Sequence, residues 1–184
     1  MLCLSRMDEA KGVSLLMAAW DLIAASGGVG MPLVLAGAGP LEGEVRRWVG
    51  DRDDVHYLGL QSRTECRKLM ARTAVLVVPS VWLETFGLVL VEAMAAAVPA
   101  VAAAHGGCAD LIDDQVTGLL HQPGDAASLV DCLRRALADA SWNLALGTAA
   151  RRRYERYFTP QVGLTALVTG YEHAIAAAAG RERW

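Results

Sequence analysis

The sequence predicts an α/β fold, a three-layer, Rossmann-like, doubly wound parallel sheet. Two observations carry that expectation. Short apolar or β-branched runs alternate with segments of helical periodicity, the pattern of parallel strands joined by helical crossovers. The polar and glycine-rich exceptions fall just after the predicted strands, where a doubly wound sheet holds its ligands. At 184 residues, with 54% hydrophobic and 20% charged side chains, the chain is about one domain with enough apolar content for a proper core.

Strands are expected at residues 1–4, 32–36, 55–58, 74–78, 99–103 and 118–121, with helices at 12–25, 41–49, 63–72, 87–96 and 126–138. In the first helix Leu15, Leu16, Ala19, Leu22 and Ile23 recur at helical spacing while Ser14 and Asp21 fall elsewhere, so it is an amphipathic cover for the sheet. The fourth strand is the run Ala74-Val75-Leu76-Val77-Val78. After Pro123-Gly124-Asp125 the strands stop and three helices follow, occupying about 126–179. Thr159 and Pro160 open the last of these as N-cap and first-turn residues. Its Leu164, Leu167, Val168, Tyr171 and Ile175 share one face, and that face calls for a partner.

Composition narrows the function. A net charge of -3 argues against a nucleic-acid surface. No apolar run has the length of a membrane span, and the start Met1-Leu2-Cys3-Leu4-Ser5-Arg6 has no basic leader, so the expected compartment is the cytoplasm, with the inner membrane face as a peripheral alternative. Arg151-Arg152-Arg153 reads as a solvated helix face. Cys3, Cys66, Cys108 and Cys132 lie far apart without a C-x-x-C pair or a His at ligand spacing, which reads as buried thiols in a reducing compartment, and zinc is not expected. His56, His105, His121 and His173 are dispersed; His105 stands out because Gly106-Gly107 follows it.

The candidate chemistry lies in loops at residues 5–12, 37–40, 59–62, 79–86 and 104–108. Glu92 is a lone carboxylate in the apolar run from Phe86 to Ala97, and the run reads as buried, so Glu92 is expected to need a polar partner such as a ligand. Glu84 stands eight residues earlier in the turn after the fourth strand. Between the two acids a helix begins near Phe86 or Gly87, and its free N–H groups suit a phosphate, while Glu92 further along could accept from both hydroxyls of a vicinal diol. Arg6 and Lys11 follow the first strand at a spacing that lets both face one anion, with Gly12 opening the next helix. Gly37-Ala38-Gly39-Pro40 begins like a dinucleotide fingerprint, but Glu42 occupies the third glycine position, so NAD is not expected. A glycine turn that admits a ligand and a plain structural turn both remain open there, as they do at Ala104-His105-Gly106-Gly107. Asp51-Arg52-Asp53 has the look of an acidic metal motif but is placed on the side away from the loops.

Taken in order, these motifs resemble the donor-binding domain of the family 4, GT-B type retaining glycosyltransferases, over nearly the whole chain. The resemblance runs through Ser5-Arg6 with Lys11-Gly12, Leu35 to Pro40 and Val55 to Gly59. It is most specific at Pro79-Ser80, Glu84-Thr85-Phe86-Gly87-Leu88 and Glu92-Ala93-Met94-Ala95, an E-x7-E motif. His105-Gly106-Gly107, Thr117 to Leu120 and Pro123-Gly124-Asp125 follow in the family's order. The resemblance implies one half of a GT-B fold that binds a UDP-, GDP- or ADP-sugar without a metal or other cofactor. It assigns Glu92 to the ribose hydroxyls and Glu84 to the donor sugar. It places the backbone of Thr85, Phe86, Gly87 and Leu88 along the sugar and diphosphate, and it gives Arg6 and Lys11 to the departing phosphates. Gly37, Gly39, Leu58 and Gly59 would complete the donor site, with base contacts from the backbone of residues 57–61.

Two departures accompany the resemblance. Ala97 stands where the family usually has glycine after the motif helix. The family's N-terminal acceptor domain is not in the sequence, so a fragment or a half-enzyme with a separate partner chain is expected, acting on a glycan, lipid or small-molecule acceptor and inactive alone. A non-catalytic nucleotide-sugar binding module and a nucleotide-sugar epimerase are the competing readings.

Overall fold

The computed structural model describes residues 1–181. Its element order is β1 (Leu2–Leu4), α1 (Val13–Ala25), β2 (Leu33–Ala36), α2 (Glu42–Val49), β3 (Val55–Tyr57), α3 (Arg63–Ala71) and β4 (Leu76–Val78). There follow α4 (Leu88–Ala95), β5 (Ala100–Ala103), α5 (Gly106–Leu111), β6 (Gly118–His121), α6 (Ala126–Ala138), α7 (Ala140–Tyr157) and α8 (Pro160–Arg181). The strands form one parallel sheet in the order β3-β2-β1-β4-β5-β6. Strand order reverses direction between β1 and β4, which makes their carboxyl ends the topological switch point.

Alternate strand residues serve two cores, as the two-residue period of a strand requires. Cys3, Leu35, Val77, Val101 and Leu119 meet Leu16, Trp20 and Ile23 of α1, Val45 of α2, and Leu129 and Leu133 of α6. Leu2, Ala36, Leu76, Val78 and Ala102 meet Met70 of α3, Leu90 and Met94 of α4, Leu111 of α5 and Ala150 of α7. Each buried Leu, Val, Ile or Met among these stabilises the fold by about 1.5–3 kcal/mol, and each Ala by less. Helix starts follow local chemistry: Ser62, Asp125 and Asp139 cap α3, α6 and α7 through side-chain oxygens.

Several expectations are corrected. Leu22 is 51% exposed, and Trp20 takes the buried place on α1 instead. A buried Trp needs a partner for its N–H, and here Nε1 donates to Asp54 at 2.8 Å. α5 was not expected, because Gly106-Gly107 has low helix propensity; packing against the β4–α4 loop overrides it. Nor is Arg151-Arg152-Arg153 simply a solvated face. Arg151 donates to the Ala95 carbonyl at the end of α4, and Arg153 reaches the Asp113 carboxylate at 2.5 Å and the Asp110 carbonyl at 3.0 Å, so α7 is fastened to its neighbours through two of the three.

Cys3, Cys108 and Cys132 are buried free thiols, whereas Cys66 is half-buried. Along α8 the apolar residues Leu164, Leu167, Val168, Tyr171 and Ile175 are exposed, as the sequence pattern implied. No helix among the described residues is long and apolar enough to cross a membrane.

Candidate functional site

Two loops meet at the switch point and are locked together by backbone. The β1–α1 loop is shaped by buried Asp8, which accepts from the Lys11 backbone N–H at 2.9 Å and pairs with the Arg6 guanidinium. The Ala10 carbonyl accepts from the N–H groups of Val81 and Trp82, each at 3.1 Å, in the β4–α4 loop. Gly12 has φ 71°, and a Cβ there would sit 1.9 Å from the Pro79 carbonyl oxygen, so only glycine permits this approach.

Glu84 is the charged centre of the junction. Its Oε1 accepts from Lys11 Nζ at 2.5 Å and from Ser80 Oγ at 2.8 Å, while Oε2 receives no hydrogen bond from the described residues. Burial pushes the Glu84 carboxyl up, but the donors Lys11 and Ser80 outweigh it and hold it below the usual carboxylate range. From the β5–α5 loop the Gly107 N–H donates to the Glu84 carbonyl at 2.7 Å, and His105 Nε2 lies 2.9 Å from the Ser80 carbonyl oxygen.

The N-termini of α1 and α4 open beside this junction. Gly12 and Gly87, both left-handed, precede them, and neither helix has a side-chain cap. In α1 the Val13 N–H turns back to the Asp8 carbonyl at 3.5 Å, so the N–H groups of Ser14 and Leu15 in α1 and of Leu88 and Val89 in α4, with the two dipole ends, face an anion. A cavity of about 230 Å³ lies here, lined by Lys11, Ser80, Glu84, Gly87 and Leu88. A second, of about 440 Å³, adds Arg6 and the exposed Trp82 to Lys11 and Glu84. A third, of about 410 Å³, is bounded by Arg6, Gly37, Leu60, Gln61 and Cys66.

Glu92 departs from its expected setting. It is exposed, and so is Leu88 one turn before it, whereas Leu90, Ala93 and Met94 of the same helix are buried. The continuous apolar run concealed a two-faced helix, and residues i and i+4 share the outer face. Glu92 lines a groove of about 620 Å³ with Arg63, Cys66 and Arg67, and Cys66 also borders the cavity of Gly37 and Gln61. The burial argument for a ligand at Glu92 therefore fails, while its position beside the other cavities remains.

The glycine turns are occupied by the chain itself. A Cβ on Gly37 would lie 1.8 Å from the Ser5 carbonyl oxygen, and one on Gly39 would lie 2.4 Å from that of Met7. Gly59 accepts at its carbonyl from Gly37 N–H, and the Tyr57 hydroxyl donates to the Gly37 carbonyl. Gly39, Leu58, Gly59, Thr85 and Phe86 do not line the three cavities. The Phe86 ring instead packs edge-on against Phe158.

Far from the cleft, Arg52 bridges Asp21 at 2.5 Å and Asp54 at 2.9 Å, which gives the Asp51-Arg52-Asp53 stretch a structural task. Among the described residues no three His, Cys, Asp or Glu side chains converge as metal ligands. The sequence motifs did not mark Asp8, and they marked Ser80 only within Pro79-Ser80, without a role. Asp8, three residues before Lys11, carried an Asx-turn signal that was legible; the link from Ser80 to Glu84 depends on the folded loop.

Residues 1–139 match the family described as glycosyl transferases group 1. The amylovoran biosynthesis glycosyltransferase AmsK of Erwinia amylovora is 26% identical over 174 residues, which cover 90% of this chain and 42% of that protein. Sucrose-phosphate synthase from Thermosynechococcus elongatus superposes with a TM-score of 0.82 at 32% identity, covering 96% of this chain and 45% of that one. Anabaena Alr3699/HepE, solved in complex with UDP-glucose, shares the fold with a TM-score of 0.77 at 24% identity, over 91% of this chain and 48% of its own. The chain spans less than half the length of each of these proteins.

Proposed function

Since the chain belongs to the glycosyl transferases group 1 family, we propose that its cleft binds a nucleoside diphosphate sugar and serves transfer of the glycosyl group to an acceptor with retained configuration. The observation that carries this reading is the convergence of two uncapped helix N-termini with Lys11 and Glu84 at the β1/β4 switch point.

The roles follow from charge. Lys11, Arg6 and the N–H groups opening α1 and α4 neutralise the diphosphate. As the bond from sugar to phosphate breaks, negative charge grows on the leaving diphosphate, and preorganised donors there stabilise it more than they stabilise the bound donor. Glu84 offers Oε2 to sugar hydroxyls while Oε1 stays anchored. The ribose diol lies toward Glu92, and the base lies over the cavity beside Gly37 and Gln61, with UDP, GDP and ADP as the candidate carriers. The Gly87 and Leu88 backbone forms the remaining wall, with Thr85, Phe86, Gly39, Leu58 and Gly59 behind it.

In this reading residues 1–184 are the donor-binding domain, and the acceptor, a glycan, lipid or small molecule, is held by a second domain of the kind the longer relatives have room for. The work takes place in the cytoplasm or at the inner membrane face.

Calorimetry with UDP-glucose, UDP, GDP, ADP and uridine tests the reading. The diphosphates and the sugar nucleotide of one base should bind clearly more tightly than the nucleoside. Absence of binding by every diphosphate would overturn it.

A further inference from the structure

The β5–α5 loop grips the β4–α4 loop at two points, one at each end of the segment from Ser80 to Glu84. At the far end the Gly107 N–H donates to the Glu84 carbonyl, and a Cβ on Gly106 would lie 2.8 Å from that same oxygen. At the near end His105 Nε2 is 2.9 Å from the Ser80 carbonyl oxygen. A carbonyl can only accept, so Nε2 carries the proton. Ser80 is 1% exposed, and its hydroxyl donates to Glu84 Oε1 at 2.8 Å. The imidazole thus holds the backbone of the residue whose side chain holds the carboxylate.

We propose that His105 is a positioning residue for Glu84, acting through Ser80 to keep the free carboxylate oxygen turned toward the donor sugar. The inference rests on the donor-site reading above. Lys11 and Ser80 pull on the same oxygen of Glu84. Without His105 the Ser80 peptide loses its anchor, the hydroxyl leaves Oε1, and Lys11 alone sets the direction of the carboxylate. Sugar recognition then suffers while phosphate recognition, which depends on Lys11, Arg6 and the helix ends, does not. A purely structural histidine would behave differently, lowering affinity for every ligand together.

The test measures affinities of the 184-residue chain for UDP-glucose and for UDP by calorimetry, in wild type, His105→Leu and His105→Gln. In His105→Leu the ratio of UDP-glucose to UDP affinity should fall roughly fivefold to tenfold, the range for the loss of one ordinary hydrogen bond, because Lys11 still holds the carboxylate. UDP affinity should stay within about twofold, since no phosphate contact is removed. His105→Gln, whose amide also donates, should restore most of the ratio. Ser80→Ala removes the hydroxyl directly and should reproduce the loss even where His105→Leu folds poorly. An unchanged ratio in His105→Leu and Ser80→Ala, a parallel fall for both ligands, or a Gln variant no better than Leu would overturn the proposal while leaving the donor site standing. Failure of the wild type to bind either ligand, or GDP or ADP and their glucose conjugates, would overturn the donor-site reading and this inference with it.

Discussion

Lys11 Nζ lies 2.5 Å from Glu84 Oε1, an ion pair between residues 73 apart that joins the β1–α1 turn to the β4–α4 turn. Within the cleft each charge is answered by the other. On the proposed donor-site reading a bound diphosphate would compete for Lys11, and sugar hydroxyls would take over part of the satisfaction of Glu84, so the pair would exchange partners rather than act as a fixed brace. Its burial is partial, with side-chain exposures of 34% and 16%, and salt can therefore reach it.

Lys11→Met and Arg6→Met are expected to weaken UDP by about tenfold to a hundredfold each, the range for hydrogen bonds to charged groups, and to leave uridine binding unchanged. Both effects should shrink as salt rises. Isothermal titration at low and high ionic strength decides this. Equal losses for UDP and uridine would place the two cations away from the phosphates.

Glu92→Ala separates binding from stability. Glu92 is exposed and has no ion-pair or hydrogen-bond partner among the described residues, so its removal should move the unfolding free energy by no more than about 0.5 kcal/mol. Its proposed grip on the ribose diol should nevertheless be worth about 1–3 kcal/mol of nucleotide affinity. A variant with unchanged stability and unchanged UDP affinity would remove Glu92 from the site.

That residue also shows what a sequence conceals. The alternation of strands and helices along the chain was legible because apolar runs and 3.6-residue periodicity are local properties, and the run ending in Leu76-Val77-Val78 is the buried strand its β-branched content and length suggest. Glu92 was misread because an almost uniformly apolar helix shows no face in its sequence; the sheet buried Leu90, Ala93 and Met94 and left Leu88 and Glu92 outside. α5 escaped for a related reason. Gly106 and Gly107 are there because any Cβ would meet the backbone of Glu84 or Phe86, a tertiary requirement that local propensity cannot express. Lys11 and Glu84 were both picked out, but their direct pairing awaited the fold.

Ala97 tests a backbone argument. It has φ 57°, the left-handed region where alanine is disfavoured by about 1–2 kcal/mol, and the glycine usual in the family would relieve that strain. Ala97→Gly should stabilise the domain by up to about 1 kcal/mol after the greater freedom of unfolded glycine is subtracted. The Ala97 carbonyl also lies close against α7, since a Cβ on Gly147 would sit 2.2 Å from it. Gly147→Ala should therefore cost about 1–3 kcal/mol through overpacking. Denaturant midpoints of the two variants should move in opposite directions, and a loss of stability in Ala97→Gly would refute the strain argument.

The final prediction concerns acid. His121 is fully buried; its Nδ1 donates to the Gln122 carbonyl at 2.9 Å, and Nε2 has no partner among the described residues. Burial lowers its pKa against the smaller opposing effect of the Gln122 bond. Below about 6.5, the ordinary histidine value, the unfolded chain therefore binds a proton that the folded chain resists, and stability falls as pH falls. A second window opens lower. Asp54, held down first by Arg52 and then by Trp20 against burial, and Glu84 both have depressed pKa values, so their contributions are full above about pH 4 and are lost as pH drops through their folded values. His121→Gln keeps a polar side chain but cannot titrate. Thermal midpoints measured from pH 8 to pH 3 should lose their slope between about pH 7 and 5 in this variant while keeping the acid decline set by Asp54 and Glu84. Identical slopes in wild type and variant would mean that some other group carries the upper window.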